Sequence, residues 1–232
     1  MPMQPIRDME RQKMLVAVDA VVFTVIKGKL SILLIQRKNE PFKGKYAFPG
    51  GFVRNEESLE DAAARELYEE TGVKDIFLKR FTAYGDVDRD PRGRIITVVF
   101  LALIDAEKFH LEAKTDAMAA EWVPLNKATP LAFDHEEILR EVLEELRYEI
   151  QITNIAAQLL PEKFTLSELQ QVYEIVLGMK VDKRNFRKRI KALDILHPLR
   201  ETRMEGAHRP AQLYTFKDKH YKPLKERIQV FV

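Results

Sequence analysis

Nine residues at fixed intervals constrain this 232-residue chain more than any other feature of its sequence. A glycine-bearing turn is followed by strong helix formers over residues 58–71, with Ser58 as the predicted N-cap and Gly72 as the predicted stop. The nine positions are Gly51, Glu57, Arg65, Glu66, Leu67, Glu69, Glu70, Gly72 and Val73. Their spacing predicts a turn followed by a helix that carries a group of carboxylates on one face.

Three of these residues are glutamates that share a helix face. Glu69 and Glu70 follow Glu66 by three and four positions, and like charges at this spacing repel each other by a few tenths of a kcal/mol per pair. A cation is therefore expected between them. Because the ligands are all oxygen and the chain has no cysteine, we expect Mg²⁺ or Mn²⁺ rather than zinc. The alternative is a solvated acidic face, with Arg65 as an ordinary surface partner.

The nine positions resemble the Nudix box, Gly-x5-Glu-x7-Arg-Glu-U-x-Glu-Glu-x-Gly-U with U aliphatic, and they satisfy it completely. The resemblance implies hydrolysis of a nucleoside diphosphate linked to another moiety, with a divalent metal and water. It implies that Glu66, Glu69 and Glu70 hold the metal, helped by a loop carbonyl near Gly50 or Gly51. Catalytic roles are implied for Glu66, Arg65 and Glu69, with support from Gly51, Glu57 and Gly72. Glu66 is our first choice of general base, although that base can also lie outside the box in this family.

Charged loops outside the box are the candidates for binding the substrate. The segment 86–94 alternates acids and arginines, which can pair internally in a structured turn. Alternatively, its arginines offer fork-shaped donors for a pyrophosphate, and its aspartates can accept ribose hydroxyls. Arg37 either faces a phosphate or is an ordinary charged strand end. The substrate-binding candidates are Arg37, Asp88, Arg89, Arg92 and Arg94.

A Phe-Asp-His stretch at 133–135 precedes a helix predicted over 135–148. We predict Asp134 to be the N-cap of this helix and His135 to be a structural or surface histidine. Strands are predicted over 15–25, 30–36, 77–84, 95–104 and 121–124.

The net charge of +2 hides an asymmetry along the chain. Residues 1–150 carry 22 lysines and arginines against 27 acids, whereas residues 151–232 carry 16 against 9. This contrast predicts two modules with different partners, divided at 150/151.

The basic module has helices predicted over 167–176 and 183–193, followed by a hairpin over 195–199 and 212–216. This order resembles a winged helix–turn–helix, whose second helix enters the major groove of DNA. The alternative is a basic solvated helix that never meets DNA. The DNA-binding candidates are Lys183, Arg184, Arg187, Lys188, Lys191 and, in the wing, Arg209, accompanied there by Arg200, Arg203 and His208.

From 15 to 221 the chain resembles the Nudix-related transcriptional regulators of the ADP-ribose branch. This resemblance implies an α+β chain: a Nudix α/β/α sandwich with a mixed sheet, followed by a winged helix. Two functions follow as expectations. One is a Mg-dependent pyrophosphohydrolase of ADP-ribose or a related nucleoside diphosphate sugar, fused to a DNA-binding domain. The other is a repressor that senses such a ligand with little or no hydrolysis. The undegraded box favours retained catalysis.

The sequence also leads to expectations about membrane association, location in the cell and oligomeric state. Its longest apolar stretch, 14–26, contains Asp19 and is too short to span a bilayer, and the amino terminus lacks the apolar core of a signal peptide. We therefore expect a soluble cytoplasmic protein without a membrane partner. Because operators bound by winged helices have paired half-sites, we also expect a homodimer.

Overall fold

The computed structural model describes residues 14–113, 117–204, 210–225 and 228. Its strands and helices follow one another in the order β1 Leu15–Ile26, β2 Lys29–Arg37, β3 Tyr46–Ala47, β4 Gly50–Phe52, α1 Leu59–Thr71, β5 Lys79–Tyr84, β6 Ile95–Leu103, β7 Ala117–Pro124, α2 His135–Ile152, β8 Phe164–Thr165, α3 Leu166–Leu177, α4 Lys183–Ala192, β9 Leu196–Arg203 and β10 Ala211–Phe216. The predicted class is confirmed, because a mixed sheet with helices precedes a winged helix.

The first module is built on a mixed sheet. Strand β1 pairs in parallel with β6 and antiparallel with β2 and β4. The main path runs β3-β2-β1-β6-β5, and β7 joins it on β2. Residues 18–24 of β1 are all buried, as expected for an apolar strand that is covered on both faces.

Alternate residues of β1 serve opposite layers. Val22 packs in a cluster with Leu67 of α1, whereas Val21 and Phe23 pack in a cluster with Ile138 of α2. The sheet therefore lies between the two helices.

Helix α1 has both predicted caps. The Ser58 hydroxyl accepts a hydrogen bond from the Asp61 amide at 3.1 Å, and Gly72 ends the helix with a φ of 77°. Since φ is positive there, glycine suits this position.

Two elements of the first module are longer than predicted by about one helical turn or more. Strand β7 starts at Ala117 rather than at 121, and its alanine-rich first half, which has low strand propensity, is held by its pairing with β2. Helix α2 continues to Ile152 rather than ending at 148, and its last turn includes the fully buried Ile150.

The second module is a helix–turn–helix with a small sheet of order β8-β10-β9. A capping box between Thr165 and Glu168 starts α3, and Asp182 caps α4 by accepting from the Asn185 amide at 2.8 Å. Strand β9 extends to Arg203, so the predicted wing residues Arg200 and Arg203 both lie in one strand of the β9–β10 hairpin. Arg203 also pairs with Glu168 of α3. The predicted positions His208 and Arg209 lie outside the described residues.

The two modules share one hydrophobic core. A single cluster of buried residues joins Val21 of the large sheet to Leu169 of α3 and Phe186 of α4. Helix α2 crosses the predicted division at 150/151, and that division stays a prediction. Within the described ranges, no helix has the length and apolar character needed to cross a membrane.

Candidate functional site

A cleft of about 450 Å³ opens between α1 and the ends of the large sheet. The box glutamates of α1 line it together with basic side chains, of which Arg54 lies 3.4 Å from Glu69. The charged and polar lining residues include Glu66, Glu69, Glu70, Arg37, Lys38, Arg54, Arg89 and Arg92. Because the lining carries both acidic and basic side chains, it can hold a ligand that binds a cation at one end and presents negative charge at the other.

Two glycines let the backbone approach the box carboxylates. The Gly50 amide donates to Glu70 Oε2 at 2.8 Å. A Cβ on Gly51 would lie 2.4 Å from Glu66 Oε1, which is closer than real atoms pack. Glycine at 51 is therefore required by the position of the Glu66 carboxylate.

Arg65 is the centre of the box's hydrogen bonds. It donates to Glu57 Oε2 at 2.8 Å, to Glu66 Oε1 at 2.6 Å and to Glu69 Oε2 at 3.2 Å. Its fourth partner is the carbonyl of Phe52 at 3.1 Å. These contacts make Arg65 the counter-ion of the cluster. The predicted catalytic role of Arg65 remains a prediction.

Two box carboxyls have shifted pKa values. Hydrogen bonding to Arg65 lowers the pKa of Glu57 to about 2. Burial raises the pKa of Glu66, although Arg65 opposes this shift. A desolvated carboxylate gains from a nearby cation and also accepts a proton more readily than an exposed one.

Within the part of the chain that the structure describes, no three carboxylate or imidazole groups form a ready-made metal site. Glu66 and Glu69 are hydrogen-bonded to Arg65, and Glu70 to the Gly50 amide. A cation would therefore compete with these partners. The donor set itself, three carboxylates of which Glu70 is buried and Glu66 is largely buried, fits a hard divalent ion such as Mg²⁺ or Mn²⁺.

The opposite side of the cleft contains a buried ion pair. Arg89 donates from Nε and Nη2 to the two carboxylate oxygens of Asp134, both at 2.7 Å. Asp134 is the N-cap residue of α2, as predicted, but its side chain makes no capping hydrogen bond. The physical reason is that its carboxylate is bonded instead to Arg89, whose side chain is only 4% exposed.

Phe133 brings two further arginines together. The guanidinium carbons of Arg37 and Arg92 lie 4.7 and 5.3 Å from the centre of its ring, a favourable cation–π distance. Phe133 lines the cleft and adopts a φ of 52°, which is rare for a bulky residue. Arg92 is also fixed by Asp90, through Nε at 3.0 Å and Nη2 at 2.7 Å.

The predicted substrate residues are thus divided. Arg37, Arg89 and Arg92 line the cleft, whereas Asp88 and Arg94 do not. Arg94 braces its own loop by donating to the carbonyls of Gly85 and Asp86. The internal-pairing alternative describes Arg92, which is bonded to the Asp90 carboxylate of the same loop, and Arg94 is bonded to the backbone of that loop.

His135 and Asp19 are two buried residues that line the cleft, and their contact was not predicted from the sequence. His135 is 3% exposed, and its Nδ1 accepts from the Phe48 amide at 3.1 Å while its ring stacks on Phe48 at 4.5 Å. Its Nε2 lies 3.5 Å from Asp19, which accepts from Thr97 at 2.7 Å. Burial lowers the pKa of His135. The presence of Asp19 within the apolar strand β1 was the sequence signal that could have indicated this pair.

The second module presents a basic helix. Four of the predicted DNA-binding residues on α4 are exposed, namely Lys183, Arg184, Lys188 and Lys191. Arg187 is half-buried and donates to Ser167 Oγ of α3 at 3.1 Å. The predicted role of Arg187 in DNA binding therefore competes with a packing role between the helices.

Comparisons with known proteins agree with this organisation. Residues 14–146, more than half of the chain, match the model of the NUDIX domain, and residues 156–216 match that of the NrtR DNA-binding winged helix domain. NUDIX hydrolases generally use divalent metals.

Two curated relatives cover different lengths of the chain. It is 38% identical over 206 residues to the ADPR responsive transcriptional repressor NtrR of Acinetobacter baylyi, covering 87% of this chain and 82% of that protein. It is 41% identical over 137 residues to the ADP-ribose pyrophosphatase of Methanocaldococcus jannaschii, covering 59% of this chain and 80% of that protein.

A solved structure resembles both modules together. Shewanella oneidensis NrtR complexed with a 27mer DNA has a TM-score of 0.77 and 36% identity, with 87% of this chain and 93% of that chain covered. The chain therefore belongs to the NUDIX family, and its NUDIX domain is followed by a winged helix domain of the NrtR type.

Proposed function

We propose that the protein is a transcriptional repressor that binds DNA through its winged helix and senses ADP-ribose, or a related nucleoside diphosphate sugar, in the NUDIX cleft. The observation that carries the proposal is the division of α4 into two faces. Phe186 and Ile190 are buried, and Phe186 packs edge-on against Tyr173 at 5.2 Å. The exposed lysines and arginine occupy the outer side, where they can meet DNA phosphates.

The relatives support both halves of the proposal. The Acinetobacter protein is named as an ADPR responsive repressor, and the Shewanella protein was solved with DNA. The excess of lysines and arginines over acids in residues 151–232 also favours binding to DNA. The division at 150/151 remains part of the proposal.

The chemistry of the cleft favours a diphosphate ligand. Arg37 and Arg92, both fixed beside Phe133, offer donors that match phosphate oxygens. The glutamates opposite them would hold a divalent cation that neutralises the same diphosphate.

Binding to DNA tests the proposal directly. A duplex selected by this protein from a random-sequence pool is labelled and titrated with the full chain, with and without ADP-ribose. We expect preference for the selected duplex over a scrambled one, and weaker binding when ADP-ribose is present. Equal affinity for both duplexes would reject the repressor function. Light scattering on the same sample tests the homodimer that we propose from paired half-sites.

A second function is favoured by the complete box and by the fit of Gly51 to Glu66. We propose that the NUDIX domain also hydrolyses ADP-ribose, adding water to a phosphorus atom and breaking the P–O–P bridge to give AMP and ribose 5-phosphate. A bound Mg²⁺ or Mn²⁺ would supply charge neutralisation. Glu66, Glu69 and Glu70 would hold the ion, and Glu66 is the proposed acceptor of the water's proton.

Release of AMP tests this second function. The full chain is incubated with ADP-ribose and MgCl₂, and nucleotides are separated by chromatography. We expect AMP from the wild type and a loss of about 100-fold or more for Glu70→Gln, with an unchanged melting temperature. No AMP from the wild type would reject the hydrolase, and equal rates would reject Glu70 as a ligand.

A further inference from the structure

One short segment connects the box helix to the start of α2. The Gly50 amide donates to Glu70 of α1 at 2.8 Å. Two residues earlier, the Phe48 amide donates to His135 Nδ1 at 3.1 Å, and the two rings stack at 4.5 Å. Any ligand that moves the Glu70 carboxylate therefore disturbs a segment whose other end is bonded to the first residue of α2.

Helix α2 is long and firmly packed. Its 18 residues span about 27 Å at the usual helical rise. The residues that face the core, Ile138, Val142, Leu146 and Ile150, are all 0% exposed. Because close-packed helices shift as units rather than deforming continuously, a displacement at its start is carried to its end.

The far end of α2 is joined to the winged-helix module by a cluster centred on the buried Glu149. Glu149, with a side chain 5% exposed, accepts from Lys79 of β5 at 2.8 Å and from the Tyr221 hydroxyl at 2.7 Å. Tyr221 lies in the segment that follows β10. The backbone reinforces this contact, since the Leu224 amide donates to the Ile152 carbonyl at 2.8 Å.

We infer that α2 transmits occupancy of the cleft to the winged-helix module, and that the Lys79–Glu149–Tyr221 cluster is the junction through which the two modules are coupled. The inference rests on the proposed function, because it presumes an ADP-ribose ligand and a DNA target. It adds the residues responsible for regulation. Each ligand biases the position of the same helix, so binding of one changes the affinity for the other.

Other contacts between the modules offer a different route. Arg147 of α2 donates to the Val176 carbonyl of α3 at 3.4 Å, and the turn at Gly28 lies beside Gln171 of α3. Coupling through those contacts would not depend on the Tyr221 hydroxyl or on the Lys79 ammonium group. Variants of the junction therefore separate the two routes.

The test measures coupling in the full chain. Affinity for the selected duplex is determined without and with saturating ADP-ribose, and the ratio is compared between wild type, Tyr221→Phe and Lys79→Met. We expect a ratio of about tenfold or more in the wild type, and a fall of about threefold or more in each variant. Affinities for DNA alone and for ADP-ribose alone should stay within about twofold of wild type, since neither residue lies in the cleft or on α4.

Tyr148→Phe is the matched control. Tyr148 is also on α2, is 48% exposed and lies outside the Lys79–Glu149–Tyr221 cluster, so the same loss of one hydroxyl should leave the ratio unchanged. Equal ratios in the wild type and both junction variants would overturn the inference while leaving both binding functions intact. A wild-type chain that binds neither ADP-ribose nor DNA would instead overturn the proposed function, and the inference with it.

Discussion

Arg89 and Asp134 face each other across the rim of the cleft in a two-bond ion pair, with both N–O distances at 2.7 Å. The pair ties the loop before β6 to the start of α2. The side chain of Arg89 is 4% exposed and that of Asp134 is 19% exposed. The two charges therefore depend on one another, and neither is available as an ordinary surface group.

Removing the charge of Asp134 should cost stability. Asp134→Asn leaves a buried guanidinium without its counter-ion, and we expect the free energy of unfolding to fall by about 3 kcal/mol. Urea denaturation measures this change. The control is Glu137→Gln on the same helix, whose pair with Arg140 spans 3.7 Å between largely exposed side chains and should matter by less than about 0.5 kcal/mol. Equal losses in the two variants would contradict a special role for the pair.

A methyl group at position 51 should disable the box without unfolding the chain. In Gly51→Ala the added Cβ would lie 2.4 Å from Glu66 Oε1, so the carboxylate must move, and a shift of this size lowers kcat/KM by about 100-fold. Mn²⁺ binding, followed by electron paramagnetic resonance, should weaken in parallel. Gly85→Ala is the control, because its Cβ would make an ordinary 3.5 Å contact with Ile96. Full activity in Gly51→Ala would refute the close approach.

Local signals predicted much of the fold. Helix α1 has the expected caps because Ser58 and Gly72 act on neighbouring backbone groups. Strands β1 and β2 match their apolar patterns within one residue. Such elements depend on a few adjacent residues, which a single sequence contains.

The misjudged features depend on distant partners. Asp134 is the N-cap residue, as its place before a helix indicated, but its carboxylate binds Arg89, which is 45 residues away. The last turn of α2 is held by Lys79 and Tyr221. Neither partner can be identified from local spacing. In the cleft, the box motif indicated the glutamate side, whereas the stacking of Phe133 with arginines required the folded chain.

Acid should weaken the box through Glu57. Arg65 lowers the pKa of this carboxyl to about 2 from an ordinary value of 4.5. A lowered pKa means that the stabilisation is complete above about pH 4.5 and is lost as the pH falls towards 2. We expect Glu57→Gln to be less stable than wild type at pH 7, with the two unfolding curves converging near pH 2. Denaturation between pH 7 and 2 measures this. The adjacent exposed Glu56→Gln serves as control, and a constant difference at every pH would contradict the assignment.

Exposed lysines of α4 should set the salt dependence of DNA binding. Lys188 and Lys191 are exposed, whereas Arg187 is bonded to Ser167, so the two lysines give the cleaner test. If each contacts one phosphate, the double variant Lys188→Ala/Lys191→Ala should reduce the slope of log K against log salt by about 1.8. The slope is measured by titrating the selected duplex at several salt concentrations. Replacing the exposed NUDIX lysines Lys43 and Lys74 removes the same charge and should leave the slope unchanged. Equal effects of the two double variants would mean that net charge, and not the basic face of α4, attracts the DNA.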